Sequence, residues 1–296
     1  MQQITSQSYR PRITFQDTNV VGNVYFLNFF RWQADCRDQW LRTARPELWA
    51  AIRRGEKQLY CTNWCTKFEN PFGATIGDDV EVNASICESH DDLMCATTET
   101  FLNHGIGPTR IAKGTFSIAL SQRHLPASQD FPVGPCYSYI RAGTGGMHHN
   151  SIDLLGLQGK CRELFLADFA ANTLRMVATQ ELVLQTTEAS LDLLQHPLIL
   201  TDLYRIEMRL DSDPRQLKWG QMQVRFDYFA ISENGTECRF AVGRQRMSSK
   251  HKSGESVVPF PFSTELLLAL RKFSDSPEVL AKIDRLLCDV TASSMT

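Results

Sequence analysis

The sequence predicts an α+β fold in which an antiparallel sheet wraps around one long helix, and it predicts this unit twice. Two observations support the prediction. A strand, a long helix and four strands follow one another in the first part of the chain, and the same order returns after a proline-rich segment. The chain has 296 residues, 43% of them hydrophobic and 22% charged. Two cores of ordinary globular composition fit within this length.

The first unit opens with a strand over residues 8–16, followed by a helix from about Val24 to Thr43. The apolar positions of this segment return at helical spacing, and no proline interrupts it. Asn23 is expected to cap the N-terminus of the helix, because a short polar side chain there can accept the first backbone N–H groups.

A second helical stretch (46–54) leads into the strands of the first unit, which are separated by turn signals. The helix of the first unit is so rich in aromatic residues that it needs burial on most sides. A sheet curled around it supplies this burial, which is the hot-dog arrangement. The predicted strands are 58–68, 79–88, 93–102 and 110–121.

An internal repeat connects the two units. The strings WQADCRDQWL (32–41) and LQGKCRELFL (157–166) align without a gap, at an offset of 125. This alignment places Gln33 on Gln158, Cys36 on Cys161 and Arg37 on Arg162. Strands then follow as in the first unit, so the sequence indicates a duplication. These strands are predicted at 181–194, 203–211, 218–230 and 237–248.

The predicted domain limits follow from this repeat. Residues 1–126 form the first hot-dog domain, 127–136 a linker rich in proline, 137–258 the second domain and 259–296 a tail of two amphipathic helices packed on the second domain. The two copies in one chain are expected to pair with each other as an internal pseudo-dimer. A homodimer of the double unit is a further expectation.

Composition excludes several classes of function. The net charge of -2 provides no basic field for nucleic acid. The nine cysteines are odd in number and mostly lie in apolar runs, which is typical of reduced thiols in a cytoplasmic protein. From the sequence we expect no signal peptide, no membrane-spanning segment and no set of ligands for a metal or other cofactor.

The segment FQDTNVVGNVYFLNFFRW (15–32) is the most informative part of the chain. It reads as a strand end, a polar turn and the N-terminus of the long helix. The first N–H groups of a helix have no partner within the helix and carry partial positive charge. The amides of Val24, Tyr25 and Phe26 can therefore stabilise an oxyanion, and Gly22 permits close approach of the backbone.

The spacing of this segment resembles the signature of 4-hydroxybenzoyl-CoA thioesterases, a branch of the hot-dog enzymes. The pattern is F-x-D-x-(D/N)-x-x-G-x-V-x-F-x-N-x-x-R-W. In that family the second acidic position of the turn is the catalytic carboxylate, and here it is Asn19. The matching residues are Phe15, Asp17, Asn19, Gly22, Val24, Phe26, Asn28, Arg31 and Trp32.

The substitution at Asn19 strengthens a second resemblance, to the thioesterases of enediyne polyketide pathways. Asparagine stands at this position in those enzymes, and an arginine that matches Arg37 is required. They hydrolyse a polyene thioester from a carrier domain, after which a β-keto acid product can lose carbon dioxide. The resemblance implies a thioester substrate on an acyl carrier protein or coenzyme A, and no cofactor.

The resulting hypothesis is a mechanism without a carboxylate nucleophile. Asn19 and the backbone N–H of Phe26 donate hydrogen bonds to the thioester oxygen, while Arg37 adds charge near the same oxygen or holds a β-keto or carboxylate group. Gly22, Tyr25 and Phe29 are the candidate residues for binding substrate.

Structural alternatives exist for each of these residues. Asn19 can be a turn residue without a catalytic role. Arg37 can form an ion pair with Asp38, and Asp17 is expected to be structural. The second copy has Thr144 where the first has Asn19, and it carries the adjacent His148 and His149. We therefore expect the second copy to be degenerate as a catalyst.

Two other kinds of function remain open at the level of sequence. The chain can be an acyltransferase/decarboxylase of polyketide biosynthesis, for which Tyr25 is the nearest nucleophile. It can also be a dehydratase, for which His148 and His149 lack an obvious carboxylate partner in the sequence. It can also be a non-catalytic protein that binds acyl groups or carriers, as the missing carboxylate at Asn19 would suggest.

Overall fold

The computed structural model describes residues 4–19, 22–57, 59–70, 73–88, 93–119, 134–142, 151–194, 203–232, 234–253 and 256–293. The chain divides into two compact units. Unit 1 comprises residues 1–126, 150–153 and 189–198, and unit 2 comprises the remainder.

Unit 1 has the predicted order of one strand, a long helix and four strands. Its sheet runs β1-β3-β4-β5-β2, and the neighbours in this order are antiparallel. The elements are β1 (Ile4–Tyr9), a short 3-10 helix (Phe15–Asp17), α1 (Phe26–Ala44), α2 (Pro46–Arg53), β2 (Tyr60–Phe68), β3 (Asp79–Glu88), β4 (Leu93–His104) and β5 (Gly107–Ala119).

The first strand differs from its prediction. The sequence indicated residues 8–16, whereas β1 ends at Tyr9. Pro11 explains the difference, since proline has no N–H to donate to a neighbouring strand. The chain after it then forms the 3-10 helix Phe15–Asp17, which places the following loop beside α1.

The core of unit 1 lies between α1 and one face of its sheet. Phe30, Cys36 and Leu41 on α1 are fully buried. Alternate residues of β3 face the same core, as the period of a strand requires. Burial of α1 on most sides follows, as the aromatic content of the helix predicted. The buried residues of β3 are Val80, Val82, Ala84 and Ile86.

A polar cluster interrupts this apolar core beneath the middle of α1. Gln33 is buried, and its Nε2 donates to Thr66 Oγ1 on β2 at 2.9 Å. Thr98 on β4 and Gly114 on β5 lie at the same place. The absence of a side chain at Gly114 provides the space in which the Gln33 amide lies.

Unit 2 repeats the plan of unit 1. Its sheet runs β7-β10-β9-β8-β6, with β11 beside β10. The elements that lie wholly or mostly in unit 2 are β6 (Tyr137–Ala142), α3 (Ser151–Phe169), α4 (Ala171–Ala178), β7 (Val183–Leu193), β8 (Leu203–Leu210), α5 (Pro214–Leu217), β9 (Gln221–Ile231), β10 (Glu237–Ser253), β11 (Ser256–Pro259), α6 (Thr264–Lys272) and α7 (Pro277–Ser293).

The helices confirm the duplication. Helices α1 and α3 begin and end at the same offset of 125 residues, and so do α2 and α4. Cys161 of unit 2 is fully buried, as Cys36 is in unit 1, and Gln158 is buried at the position of Gln33. The two units therefore share the register of their helices as well as the order of their elements.

The C-terminal helices pack within unit 2. Ser263 caps α6 by accepting a hydrogen bond from the Leu266 N–H at 3.1 Å, and its hydroxyl lies 2.7 Å from that of Thr173 on α4. Phe273 stacks edge-on against Phe165 of α3. Most of the predicted linker, residues 127–133, lies outside the described residues.

A substitution at Gly114 tests the polar cluster. A Cβ there would lie 2.6 Å from Gln33 Nε2 and 2.8 Å from each hydroxyl oxygen of Thr66 and Thr98. We expect Gly114→Ala to lower the free energy of unfolding by about 1–3 kcal/mol, because buried side chains must shift. Denaturant unfolding measures this, with Gly105→Ala as the control, since a Cβ at Gly105 meets nothing within 4 Å. Equal stability of the two variants would contradict the clash.

The buried thiols predict a loss of stability at alkaline pH. Burial raises the pKa of Cys36 to about 12, and that of Cys161 to about 12 as well. In the unfolded state a cysteine thiol has a pKa of about 8.5. The unfolded state therefore loses protons first as the pH rises. Between the unfolded and the folded pKa, the free energy of unfolding falls by about 1.4 kcal/mol per pH unit for each thiol.

Urea unfolding at about pH 8, 9 and 10 checks this dependence. Cys36→Ala should be less stable than the wild type at the lowest pH, because it removes a buried sulfur, yet lose stability less steeply as the pH rises. Other groups that titrate in this range affect both proteins equally. Parallel pH profiles would show that Cys36 ionises equally in both states.

Candidate active site

The loop before α1 folds into a compact turn. Thr18 and Val24 form an isolated antiparallel β-bridge. The Asn19 N–H donates to the Asn23 carbonyl at 2.8 Å, and the Gly22 N–H donates to the Asn19 carbonyl at 2.9 Å. Gly22 has a φ of +82°, a backbone conformation that favours glycine. The turn thus returns the chain to the start of α1 within a few residues.

Asp17 holds this loop through both its side chain and its backbone. Its carboxylate accepts hydrogen bonds from Thr14 N–H at 2.8 Å and Thr14 Oγ1 at 2.7 Å. Its carbonyl oxygen accepts from the Tyr25 N–H at 2.8 Å and from Asn28 Nδ2 at 2.7 Å. This geometry agrees with the expectation that Asp17 is structural.

Asn28 is the buried polar residue that attaches the loop to the helix. Its side chain is 2% exposed, and its Oδ1 accepts a hydrogen bond from Arg31 at 3.0 Å. A buried amide must satisfy both ends, and Asp17 and Arg31 do this here. Three positions of the motif therefore share one hydrogen-bonded chain, a role that the sequence analysis did not assign to Asn28 or Arg31.

Asn19 lies exposed on the loop. Its Oδ1 accepts a hydrogen bond from the Asn23 N–H at 3.2 Å, so the side chain contributes to the turn. The Nδ2 group of the same amide carries the two donors of the side chain. Asn19 therefore has the local role that the structural alternative predicts, and its Nδ2 carries the donors that the catalytic hypothesis requires.

The predicted cap of α1 is wrong. Tyr25, without a side-chain hydrogen bond, occupies the N-cap position, and Phe26 is the first helical residue. Asn23 instead pairs with Thr75 as an isolated bridge. Its backbone is committed to the turn, two residues before the N-cap position.

The backbone donors predicted at this helix end are used unequally. Val24 N–H donates to the Ala74 carbonyl at 2.7 Å, and Tyr25 N–H donates to Asp17. These amides stabilise the loop, contrary to the prediction that they serve an oxyanion. Phe26 holds the first position of α1, where N–H groups point out of the helix end. Of the three predicted donors, Phe26 has the suitable placement.

The aromatic residues at this helix end belong largely to the core. Phe29 is 3% exposed, and its ring centroid lies 5.1 Å from that of Phe68. Phe26 is also buried, and its ring lies 4.7 Å from Tyr25, which is partly exposed. The aromatic rings therefore form an apolar cluster at the start of α1, with Tyr25 at its surface.

Arg37 is not brought together with Asn19 inside unit 1. It lies eleven residues after Phe26 on α1, which is about 16 Å along the axis at 1.5 Å per residue. Its guanidinium contacts Asp38 Oδ1 at 2.6 Å through both Nε and a terminal nitrogen. This is the local ion pair that the structural alternative predicts.

The corresponding residues of unit 2 are described only in part. Thr144, His148 and His149 lie outside the described residues. Arg162, at the position of Arg37, is buried and donates to Thr186 Oγ1 at 2.8 Å and to Gln245 Oε1 at 3.3 Å. The two related arginines therefore differ in their surroundings.

The described residues offer no candidate for two other classes of site. Among them, histidine, cysteine and carboxylate side chains form no group of three or more that could hold a metal ion. None of the described helices combines the length and apolar character needed to cross a membrane.

Solved structures identify the fold. No protein-family model and no curated protein matches the chain. A 12:0-ACP thioesterase from Umbellularia californica is 9% identical, with a TM-score of 0.55 over 83% of this chain and 94% of that one. An acyl-ACP thioesterase from Bacteroides thetaiotaomicron is 8% identical, with a TM-score of 0.51 over 82% and 97%. The fold is a tandem hot-dog.

The chain is also similar to the Dynemicin thioesterase, whose structures describe polyene binding. That match has 23% identity and a TM-score of 0.42, and covers 48% of this chain and 99% of that one. The two acyl-ACP thioesterase structures, matched over 82% and 83% of this chain, confirm the predicted α+β class and the duplication of the hot-dog unit.

The hydrogen bond from Asn28 to the Asp17 carbonyl predicts a coupling between loop and helix. We expect Asn28→Ala to lower the free energy of unfolding by about 1–3 kcal/mol, since it leaves a carbonyl with one donor fewer. Hydrogen exchange should show faster exchange of the Gly22 and Tyr25 amides.

The control for this substitution is Arg31→Gln, which leaves the bond between Asn28 and Asp17 in place. It should change exchange of the loop amides little. Unaltered protection of these amides in Asn28→Ala would show that the loop is held by other contacts.

Proposed function

We propose that this chain is a thioester hydrolase that releases an acyl or polyketide chain from an acyl carrier protein or coenzyme A in the cytoplasm. The observation that carries the proposal is the Asn19 turn, which Asp17 and Asn28 fasten against the start of α1. The hot-dog fold shared with acyl-ACP thioesterases supports it, as do the motif residues around Asn19.

The proposed reaction uses water as the nucleophile. Water attacks the thioester carbon, a C–O bond forms and the carbonyl oxygen gains negative charge. Asn19 Nδ2 and the Phe26 N–H donate hydrogen bonds to that oxygen, and the partial positive charge at the start of α1 adds to the stabilisation. The C–S bond then breaks, and the departing thiolate receives the proton lost by water.

A carboxylate nucleophile has no place in this scheme. The position that would hold it is Asn19, and the carboxylate of Asp17 is already engaged by Thr14. Both hydrogen bonds lie on Oδ2 of Asp17 and hold its carboxylate in the loop, in keeping with a structural role. Stabilisation of the oxyanion is therefore the main contribution that the loop can make.

Substrate binding is proposed along the surface of the same turn. Gly22 leaves open space beside the loop, and Tyr25 offers a partly exposed aromatic ring next to buried Phe26. The ring of Phe29 packs in the core, so an acyl chain would have to enter that core to touch it. The contact of Phe29 with substrate stays a prediction. A β-keto polyene is the substrate that the resemblance to enediyne thioesterases suggests.

Arg37 has a separate role in this proposal. At about 16 Å from the start of α1, it does not reach an oxygen held by Asn19 of the same unit. We propose that it binds an anionic part of the substrate or carrier after exchanging its partner Asp38. Its catalytic role remains a prediction.

The decisive measurement is release of free thiol from a panel of acyl-CoA and acyl carrier thioesters. Asn19→Ala should lower kcat by about 100- to 1000-fold, as loss of one oxyanion donor does. Asn234→Ala is the matched control, since Asn234 Oδ1 accepts the Thr236 N–H in a turn of unit 2. Thiol release is also measured for Arg37→Ala and for Asp38→Asn. Loss of activity in Arg37→Ala alone would indicate that Arg37 binds substrate, whereas equal loss in both would indicate a role of the ion pair.

Each other result assigns a different function. If Asn19→Ala kept wild-type turnover, the oxyanion assignment would be wrong. If the wild type bound acyl thioesters without releasing thiol, the chain would be an acyl- or carrier-binding protein. A stable acyl adduct in intact-protein mass spectrometry would favour the acyltransferase.

A further inference from the structure

Two cysteines face each other across neighbouring strands of unit 1. Cys87 on β3 and Cys95 on β4 are directly opposed in the antiparallel register of these strands. Among the strand registers of the described residues, this is the position at which two cysteines meet. Both are in the thiol form. The pair is therefore a candidate for chemistry that needs two thiols.

Both side chains lie on the face of the sheet that turns away from the core. Their neighbours along the chain, Ile86 on β3 and Met94 and Ala96 on β4, are buried in the core, and side chains alternate between the two faces of a strand. Cys95 is exposed and Cys87 is partly exposed. A dissolved reagent can therefore reach Cys95 without any opening of the core.

The geometry of the two strands suits a disulfide bond. Directly opposed residues of antiparallel strands have Cα atoms about 4.5–5.5 Å apart, within the range of about 4.4–6.8 Å that disulfides span. Their Cβ atoms also lie about 4.5–5.5 Å apart, and a disulfide holds them at about 3.5–4.5 Å. A small approach of the strands is therefore enough to join Cys87 to Cys95.

The neighbouring strands favour this pairing over a bond to another cysteine of the sheet. On the other side of Cys95 the opposed residue is Ser117 of β5, whose Oγ lies 3.6 Å from Cys95 Sγ. On the other side of Cys87 the opposed residue is Ile4 of β1. The cysteines of β2 lie beyond β5 in the order of strands. Each member of the pair therefore has the other as its adjacent thiol on this face.

We propose that Cys87 and Cys95 are a redox-sensitive modification site, which forms a disulfide by exchange with a small-molecule disulfide such as oxidised glutathione. The Cys95 thiolate attacks one glutathione sulfur, the S–S bond of glutathione breaks, and one glutathione leaves and takes up the proton that Cys95 lost. Cys87 then loses its proton and attacks the Cys95 sulfur, and the second glutathione leaves with that proton. Two protein thiols are oxidised, and one disulfide is reduced to two thiols.

This site is separate from the Asn19 turn. β3 begins at Asp79, shortly after Thr75, whose backbone pairs with Asn23. Cys87 lies near the opposite end of β3, about 26 Å from Asp79 at about 3.3 Å per residue. Because β3 lies between the edge strand β1 and β4, the bond ties β4 to the strand that holds the edge of the sheet. We therefore expect oxidation to stabilise unit 1.

Peptide mapping of the full-length protein tests the proposal. The folded protein is treated with oxidised glutathione, the remaining thiols are alkylated, and the chain is cut with trypsin without reduction. Trypsin releases residues 68–110 as one peptide, in which Cys87 and Cys95 are the two cysteines. We expect this peptide to carry neither an alkyl group nor glutathione and to be two hydrogens lighter than its reduced form. When it is also cut after Glu88, the pieces that contain the two cysteines should stay linked.

The proximity of the two thiols determines how much oxidant the reaction needs. Because the second step is intramolecular, half-oxidation of the pair should need at least about tenfold less oxidised glutathione than half-modification of Cys288, an exposed cysteine on α7. The oxidised protein should also unfold at a higher temperature than the reduced one, because the bond constrains the unfolded chain.

Three variants separate this pair from the other thiols. Cys87→Ser and Cys95→Ser each leave one thiol of the pair, which should stop at a mixed disulfide with glutathione and give no rise in the unfolding temperature. Cys238→Ser is the matched control, since Cys238 is an exposed cysteine of a strand whose opposed residue is Ala230. This control should form the link as the wild type does. Thermal unfolding of each reduced variant checks that it is folded.

Several results would overturn the proposal. These are a peptide 68–110 from the treated wild type that carries two alkyl groups or two glutathiones, a link from Cys87 or Cys95 to another cysteine, or a link that forms only in denaturant. None of these results depends on the release of thiol from an acyl thioester, so the test stands apart from the proposed hydrolase activity.

Discussion

Two hydrogen bonds to one backbone carbonyl, that of Asp17, determine the geometry of the candidate active site. The Tyr25 N–H fixes where the chain returns from the loop, and Asn28 Nδ2 fixes the loop to the buried side of α1. Asn28 can do this because the helix that carries it is itself immobilised in the core. The position of Asn19 thus depends on core packing as much as on the sequence of its own turn.

Most of the fold follows from local patterns in the sequence. The long helix was visible in its apolar spacing, and the repeat was visible in one aligned string that included Cys36 and Cys161. Both patterns reflect burial, which acts at every turn of a helix and every second residue of a strand. The limits of β1 were predicted wrongly because the alternation of residues 8–16 outweighed Pro11, whose missing N–H ends the strand.

The site was predictable at the level of its residues and less so at the level of their roles. The motif located Asp17, Asn19 and Asn28, yet Asn23 was wrongly taken as the helix cap. The backbone of Asn23 instead pairs with Thr75, about fifty residues further along the chain. No local rule could indicate that contact. Arg37 is likewise far from Asn19 because the residues between them lie along the axis of α1, and the motif in the sequence does not show that distance. The domain limits and the roles of the site residues stay predictions.

The buried glutamine in the middle of α1 has a consequence for folding. A purely apolar helix could slide or rotate in its groove and still bury most of its side chains, giving competing packings of similar energy. In one of those packings the Gln33 amide hydrogen-bonds to Thr66. In the others the amide would be buried among apolar groups without that hydrogen bond, which is unfavourable. Gln158 is buried at the same place in unit 2. A single polar residue can in this way select one native arrangement from many, and the duplication carried the selecting residue into both halves of the chain.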